Sequence, residues 1–250
     1  KTIHPMDEHL CGERALDLAT LSEKGYPVPP SFVVTNDAFE AFVLNNRLQQ
    51  KIGAALQGAT LTATSPMSRA RAVHTMTVLP DGSVLVLGGM LRLNSELADA
   101  ELFDPGRARF RAAATPSALR KSHTATTLRD GRVLITGGLD DRNAYLRTAE
   151  IYDPVRQTFT TTNSMTVARS GQEAVLLDDG RVLRVGGTGT GWSFLSSAEI
   201  YDPRTGRFTA TGGMTEARES HVALKLRDGR VLVVAGHRGR RADITISRTA

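Results

Sequence analysis

The chain has 250 residues, of which 40% are hydrophobic and 23% charged, with a net charge of +5 and a pI near 9.7. These proportions suit a globular protein of one large or two small domains, and no run approaches the ~18 apolar residues of a membrane helix. The single cysteine, Cys11, excludes an internal disulfide framework, while the basic balance raises nucleic acid as a partner class.

The chain opens on Lys1, with no charged-then-apolar leader behind it. Residues 1–56 then read as a small α/β segment. Leu16, Leu18 and Leu21 have helical periodicity, and the Pro-rich stretch YPVPP bends the chain. Phe32, Val33 and Val34 form an apolar strand. Thr35, Asn36 and Asp37 give an N-cap signal for a helix through about Leu48. The stretch GYPVPPSFVVTNDAF, with ALDLATL before it, resembles the start of the nucleotide-binding domain of phosphoenolpyruvate synthase and pyruvate phosphate dikinase. That family's Gly-Gly-Lys is Cys11-Gly12-Glu13 here, which puts an acid where a phosphate-facing lysine belongs. The resemblance implies an ATP-dependent phosphotransferase fragment as the alternative function, and no catalytic residue is carried over from it.

From residue 57 a repeat takes over. Gly88-Gly89, Gly137-Gly138, Gly186-Gly187 and Ala235-Gly236 recur every 49 residues. The same step separates the Asp-Gly pairs at Asp81, Asp130, Asp179 and Asp228. It also separates Arg71, Arg120, Arg169 and Arg218; Glu101, Glu150 and Glu199; and Phe110, Phe159 and Phe208. Each unit predicts four strands. HTATTL and its relatives come first, followed by an Asp-Gly hairpin turn expected to hold two residues at positive φ. RVLITGG comes second, its unbroken apolar run expected of a strand covered on both faces. AEIYDP is third, stopped by Asp-Pro, and a short strand such as QTFTTT is fourth.

Four strands in about 50 residues is the mark of a propeller blade. Residues 57–250 resemble bacterial kelch repeats, with Phe110, Phe159 and Phe208 standing where that family has tryptophan. The expected fold is therefore mainly β: an incomplete kelch-type propeller of about four four-stranded blades, preceded by the small α/β segment. LTATSPM opens the repeats at a fourth strand, and SRTA closes the chain just where a third strand is due. The expectation is an open fan cut from a longer protein, with apolar blade faces at both ends. The kelch resemblance leans localisation toward a bacterial secreted or cell-surface protein.

Residues at recurring positions carry two readings each. His74, His123 and His221, with Gln172 in the third unit, begin the first strand and would line a central channel as ligands. The competing reading is hydrogen bonding within or between blades, and it is preferred, because a residue present in nearly every blade serves the blade. Arg71, Arg120, Arg169 and Arg218 are expected to pair with Glu101, Glu150 and Glu199 as scaffold. No metal site and no cofactor are expected. The copper-radical chemistry of some kelch-related oxidases needs a cysteine in the propeller, and Cys11 lies outside it. Trp192 and Phe194, in the loop GTGTGWSFLSS, are the best candidates for ligand contact. The basic loop HRGRRAD, without interleaved aromatics, makes nucleic acid an unlikely partner. The leading expectation is a non-enzymatic scaffold binding a protein or glycan through its loops.

Overall fold

The computed structural model describes residues 64–92, 95–96, 99–238 and 245–246, all within the unit Thr64–Ala250. The expected helix–strand–helix segment of 1–56 lies outside the described residues, as does most of the HRGRRAD loop.

Blade one contains β1 (Thr75–Val78), β2 (Val84–Leu87), a ribbon of β3 (Met90–Arg92) and β4 (Ser95–Glu96), then β5 (Ala100–Asp104) and β6 (Arg109–Ala112). Blade two contains β7 (Thr124–Thr127), β8 (Val133–Thr136), β9 (Ala149–Asp153) and β10 (Thr158–Thr162). Blade three contains β11 (Glu173–Leu176), β12 (Val182–Val185), a ribbon of β13 (Thr188–Gly189) and β14 (Ser193–Phe194), then β15 (Ala198–Asp202) and β16 (Arg207–Thr211). Blade four is described by the hairpin β17 (Val222–Lys225) and β18 (Val231–Val234), and by the ribbon β19 (His237–Arg238) and β20 (Thr245–Ile246). Each complete blade is one antiparallel sheet with its strands in chain order. The first strands of successive blades touch. The expected incomplete propeller is thus present, with three full blades and the opening hairpin of a fourth.

The apolar pattern explains the stacking. On β8, Val133 and Ile135 point one way and Leu134 and Thr136 the other, and all four are buried. Val133, Ile135 and Tyr152 pack on Leu85, Leu87 and Leu102 of blade one. On the opposite side, Leu134 and Ile151 pack on Val182 and Tyr201 of blade three. A second strand covered on both faces has no solvent side, so its sequence does not alternate. The fourth-strand phenylalanine pairs directly opposite the third-strand aromatic. Phe103–Phe110, Tyr152–Phe159 and Tyr201–Phe208 have ring centroids 4.8–4.9 Å apart, in tilted contacts.

The Asp-Gly turns differ from the expectation. Only the glycines, Gly82, Gly131, Gly180 and Gly229, have positive φ, at 82–85°. The Leu79 carbonyl accepts the Gly82 N–H, and the Leu79 N–H donates to the Ser83 carbonyl. This is a type I turn followed by a left-handed glycine, not the two-residue type. Aspartate serves another purpose: the Asp130 carboxylate accepts the Arg132 N–H at 3.1 Å, and Asp179 and Asp228 repeat the contact. A left-handed position without a sequence signal recurs before each first strand, at Val73, Ser122, Gly171 and Ser220 (φ 51–59°).

The Gly-Gly pair is where blades join. A Cβ on Gly88 would lie 2.3 Å from the Arg120 carbonyl of the next blade. The Gly89 N–H donates to that same carbonyl at 3.0 Å, and Gly138 to Arg169 and Gly187 to Arg218 repeat the bond. Close approach and positive φ together require glycine here.

Candidate functional site

In a sheet of order 1-2-3-4, the 1–2 and 3–4 turns share one face, and the 2–3 loops and inter-blade links share the other. The recurring arginines lie on the links and Trp192 lies on a 2–3 loop, so both belong to the second face.

Each arginine is anchored within its own blade. The Arg120 Nη2 atom lies 2.6 Å from Glu150 Oε1, and Arg120 Nη1 donates to the Gly137 carbonyl at 2.9 Å. The other carboxylate oxygen accepts the Ser117 N–H at 2.7 Å. Arg71–Glu101 at 2.6 Å and Arg169–Glu199 at 3.2 Å repeat the arrangement. Ser68 and Thr166 supply the matching N–H groups. The guanidiniums are fully buried. One ion pair thus ties the incoming link, the end of the second strand and the third strand together. Asp99, Thr148 and Ser197, two residues before each glutamate, add side-chain acceptors that the sequence reading did not single out. In blade four, Arg218 Nη2 meets Glu216 at 3.3 Å, and Arg218 Nη1 reaches the Ala235 carbonyl at 3.0 Å.

The histidine position faces the preceding blade. The His123 Nε2 atom lies 2.8 Å from the Thr75 hydroxyl. Gln172 Nε2 donates to the Thr136 carbonyl at 2.9 Å and reaches the Thr124 hydroxyl at 3.3 Å. His123 and His221 are buried and His74 is partly buried. Burial, and then the Arg120 guanidinium, lowers His123 to a pKa of about 3. Burial and Arg218 lower His221 to about 4, and burial and Arg71 lower His74. Among the described residues no group of three His, Cys, Asp or Glu is placed to hold a metal.

These depressed values set a pH dependence. His123 is neutral when folded and has a pKa near 6.5 when unfolded, so the unfolded chain binds the extra proton between about pH 3 and 6.5. Its contribution is fully present above pH 6.5 and is lost as pH falls through that window. The urea midpoint should drop on acidification from pH 7 to 4.5. In His123→Gln, which copies blade three, the drop should be smaller.

Trp192 and Phe194 separate. Trp192 ends a short 3₁₀ turn (Thr190–Trp192) with φ 60° and is 45% exposed. Phe194 is 9% exposed, and its strand pairs with Thr188 in the ribbon. Phe194 therefore supports the loop from beneath, and Trp192 is the one presented to solvent. The expected joint surface reduces to Trp192, because a two-residue ribbon alternates its side chains.

One buried charge carried no signal beyond its break in an apolar run. Arg184 stands on β12 where blade two has Ile135, and it is fully buried against blade two. Its Nη1 donates to the Thr124 hydroxyl. Burial, and then repulsion from Arg169, lowers its pKa to about 9. The same junction has Thr136 where the first has Leu87, and Gln172 where the first has His123. One of the blade junctions has thus exchanged apolar contacts for a polar network.

On the turn face, a groove between blades two and three is lined by paired charges. Arg132–Asp130 and Arg181–Asp179 are 2.7 Å apart, and Arg204–Asp202 is 3.3 Å apart. Alternating signs make this a mixed surface and not a positive stripe.

No curated protein matches the chain. Residues 120–166, which run from Arg120 through all four strands of blade two, match the family model described as the Kelch motif, and the repeated four-stranded sheets fit a kelch-type propeller.

Proposed function

We propose that this protein is a non-enzymatic interaction scaffold that binds a protein partner through its 2–3 loops. The observation that carries this reading is Trp192. It is an exposed aromatic on a loop whose base is held by the buried Arg169–Glu199 pair and by Phe194 beneath it. A rigid aromatic presented this way gives contact area at low entropic cost, which is what an interface anchor requires. The Kelch motif supports the protein-interaction class, and fold alone names no partner.

Trp192 is the only tryptophan, so its fluorescence reports on this loop alone. Peptides selected on the full chain from a displayed library should shift that emission. Trp192→Ala should weaken their binding at least tenfold, about 1.4 kcal/mol. Binders indifferent to Trp192→Ala would move the recognition surface elsewhere. Binding of glycans alone on an array would replace the protein class by the glycan class. Thermal stabilisation by ATP with magnesium would instead favour the phosphotransferase alternative.

A further inference from the structure

The two outer faces of the blade series differ from the covered ones. At each internal junction the back of one blade meets the front of the next. The first-strand residues on the backs are Thr75 and Thr77, Thr124 and Thr126, then Glu173 and Val175. On the back of blade four they are Val222 and Leu224, 54% and 46% exposed. The fronts of blades two, three and four present Ala125 and Thr127, Ala174 and Leu176, Ala223 and Lys225. The front of blade one presents Met76 and Val78, 64% and 65% exposed. The largest exposed apolar side chains of the first strands thus sit on the two faces that no blade covers among the described residues. Exposed apolar clusters of this kind mark association surfaces.

We propose that these two faces bind each other between two copies of this chain, head to tail, with the back of blade four on the front of blade one. The internal junctions supply the geometry, because the faces are the same two faces that pack within the molecule. The Gly187 N–H donates to Arg218, and the Gly171 N–H to Ser122. Continued across copies, the Gly236 N–H meets the Arg71 carbonyl of the second copy. The Ser220 carbonyl receives the Val73 N–H of the second copy. Val222 and Leu224 then cover Met76 and Val78. The contact is heterologous, so it closes into a ring or grows into chains.

One residue weakens the fit. A Cβ on Gly88, Gly137 or Gly186 would lie 2.3–2.7 Å from the next blade's arginine carbonyl. Ala235 occupies that position in blade four, at φ 59°, and carries that Cβ. The junction between copies therefore opens at this corner, and the first-strand contacts hold it.

Sedimentation velocity on the full chain should show mass rising above the monomer with concentration. Met76→Glu with Val78→Lys blocks the front, and Val222→Glu with Leu224→Lys blocks the back. Each blocked protein should be monomeric. Mixed in equal amounts they should form a pair and nothing larger, because each keeps the face the other lacks. Ala235→Gly should tighten association several-fold. A native chain that stays monomeric at every concentration overturns the proposal, whether its own segments or nothing covers these faces. So does self-association that survives either block, or a blocked pair that does not combine. Far-UV circular dichroism checks that the blocked proteins fold. If they do not, Ala235→Gly decides alone, since glycine accepts this backbone and an unchanged association constant refutes the junction.

Discussion

The Arg120→Ala protein should be less stable than the native chain by about 3–5 kcal/mol, read from the urea midpoint at pH 7. Arg120 and Glu150 are both buried and 2.6 Å apart. Removing the guanidinium strands a buried carboxylate whose remaining printed contact is the Ser117 N–H at 2.7 Å. It also releases the Gly137 and Thr148 carbonyls, which Arg120 holds at 2.9 and 3.3 Å. The cost lies in the unpaired charge more than in the lost attraction. Hence the double replacement Arg120→Met with Glu150→Leu should cost less than Arg120→Ala alone. An exposed pair gives the control: Arg132→Ala on the Asp130 turn should change the midpoint little, because water screens that contact. If Arg120→Ala and Arg132→Ala lose equal stability, the buried pair is not the anchor of the blade.

The second large effect has the opposite sign. Arg184→Met should raise stability by about 1–4 kcal/mol. Arg184 is fully buried, and its pKa, lowered to about 9, reflects the desolvation that the junction imposes on a cation. Methionine fills similar volume without that cost. Thr124 keeps two polar neighbours after the change, Thr136 at 3.0 Å and Gln172 at 3.3 Å. Extending the swap with Thr136→Leu rebuilds the apolar contact that Leu87 and Ile135 make one junction earlier. A midpoint that falls in Arg184→Met would mean that the guanidinium holds blades two and three together through its polar contacts.

Much of the architecture was legible in the residues themselves. Local chemistry sets it: Asp-Gly makes a turn wherever it stands, an unbroken apolar run must be covered twice, and Asp-Pro stops a strand. Because these signals recur at one spacing, each blade confirms the others. The pairing of arginine with glutamate was an expectation of the same kind, since two opposite charges at one repeat position have few other partners. The repeat also hid things. A property that every blade shares cannot say which blade binds, so the candidate residues came mostly from breaks in the pattern.

Tertiary structure decided the rest. Whether an aromatic contacts solvent depends on which side of a two-residue ribbon it falls, and so Trp192 and Phe194 part company. That Arg184 faces a neighbouring blade and not water follows from the stacking of sheets, a contact between residues 60 apart in the chain. The left-handed backbone at Val73, Ser122 and Ser220 has no local signal, because it is imposed by the hydrogen bonds that join one blade to the next. Sequence by itself determined the unit and its period through short-range turn and strand chemistry. Only the assembled blades determined which side chains are buried, which are paired and which are offered outward, because those are properties of the junctions between units.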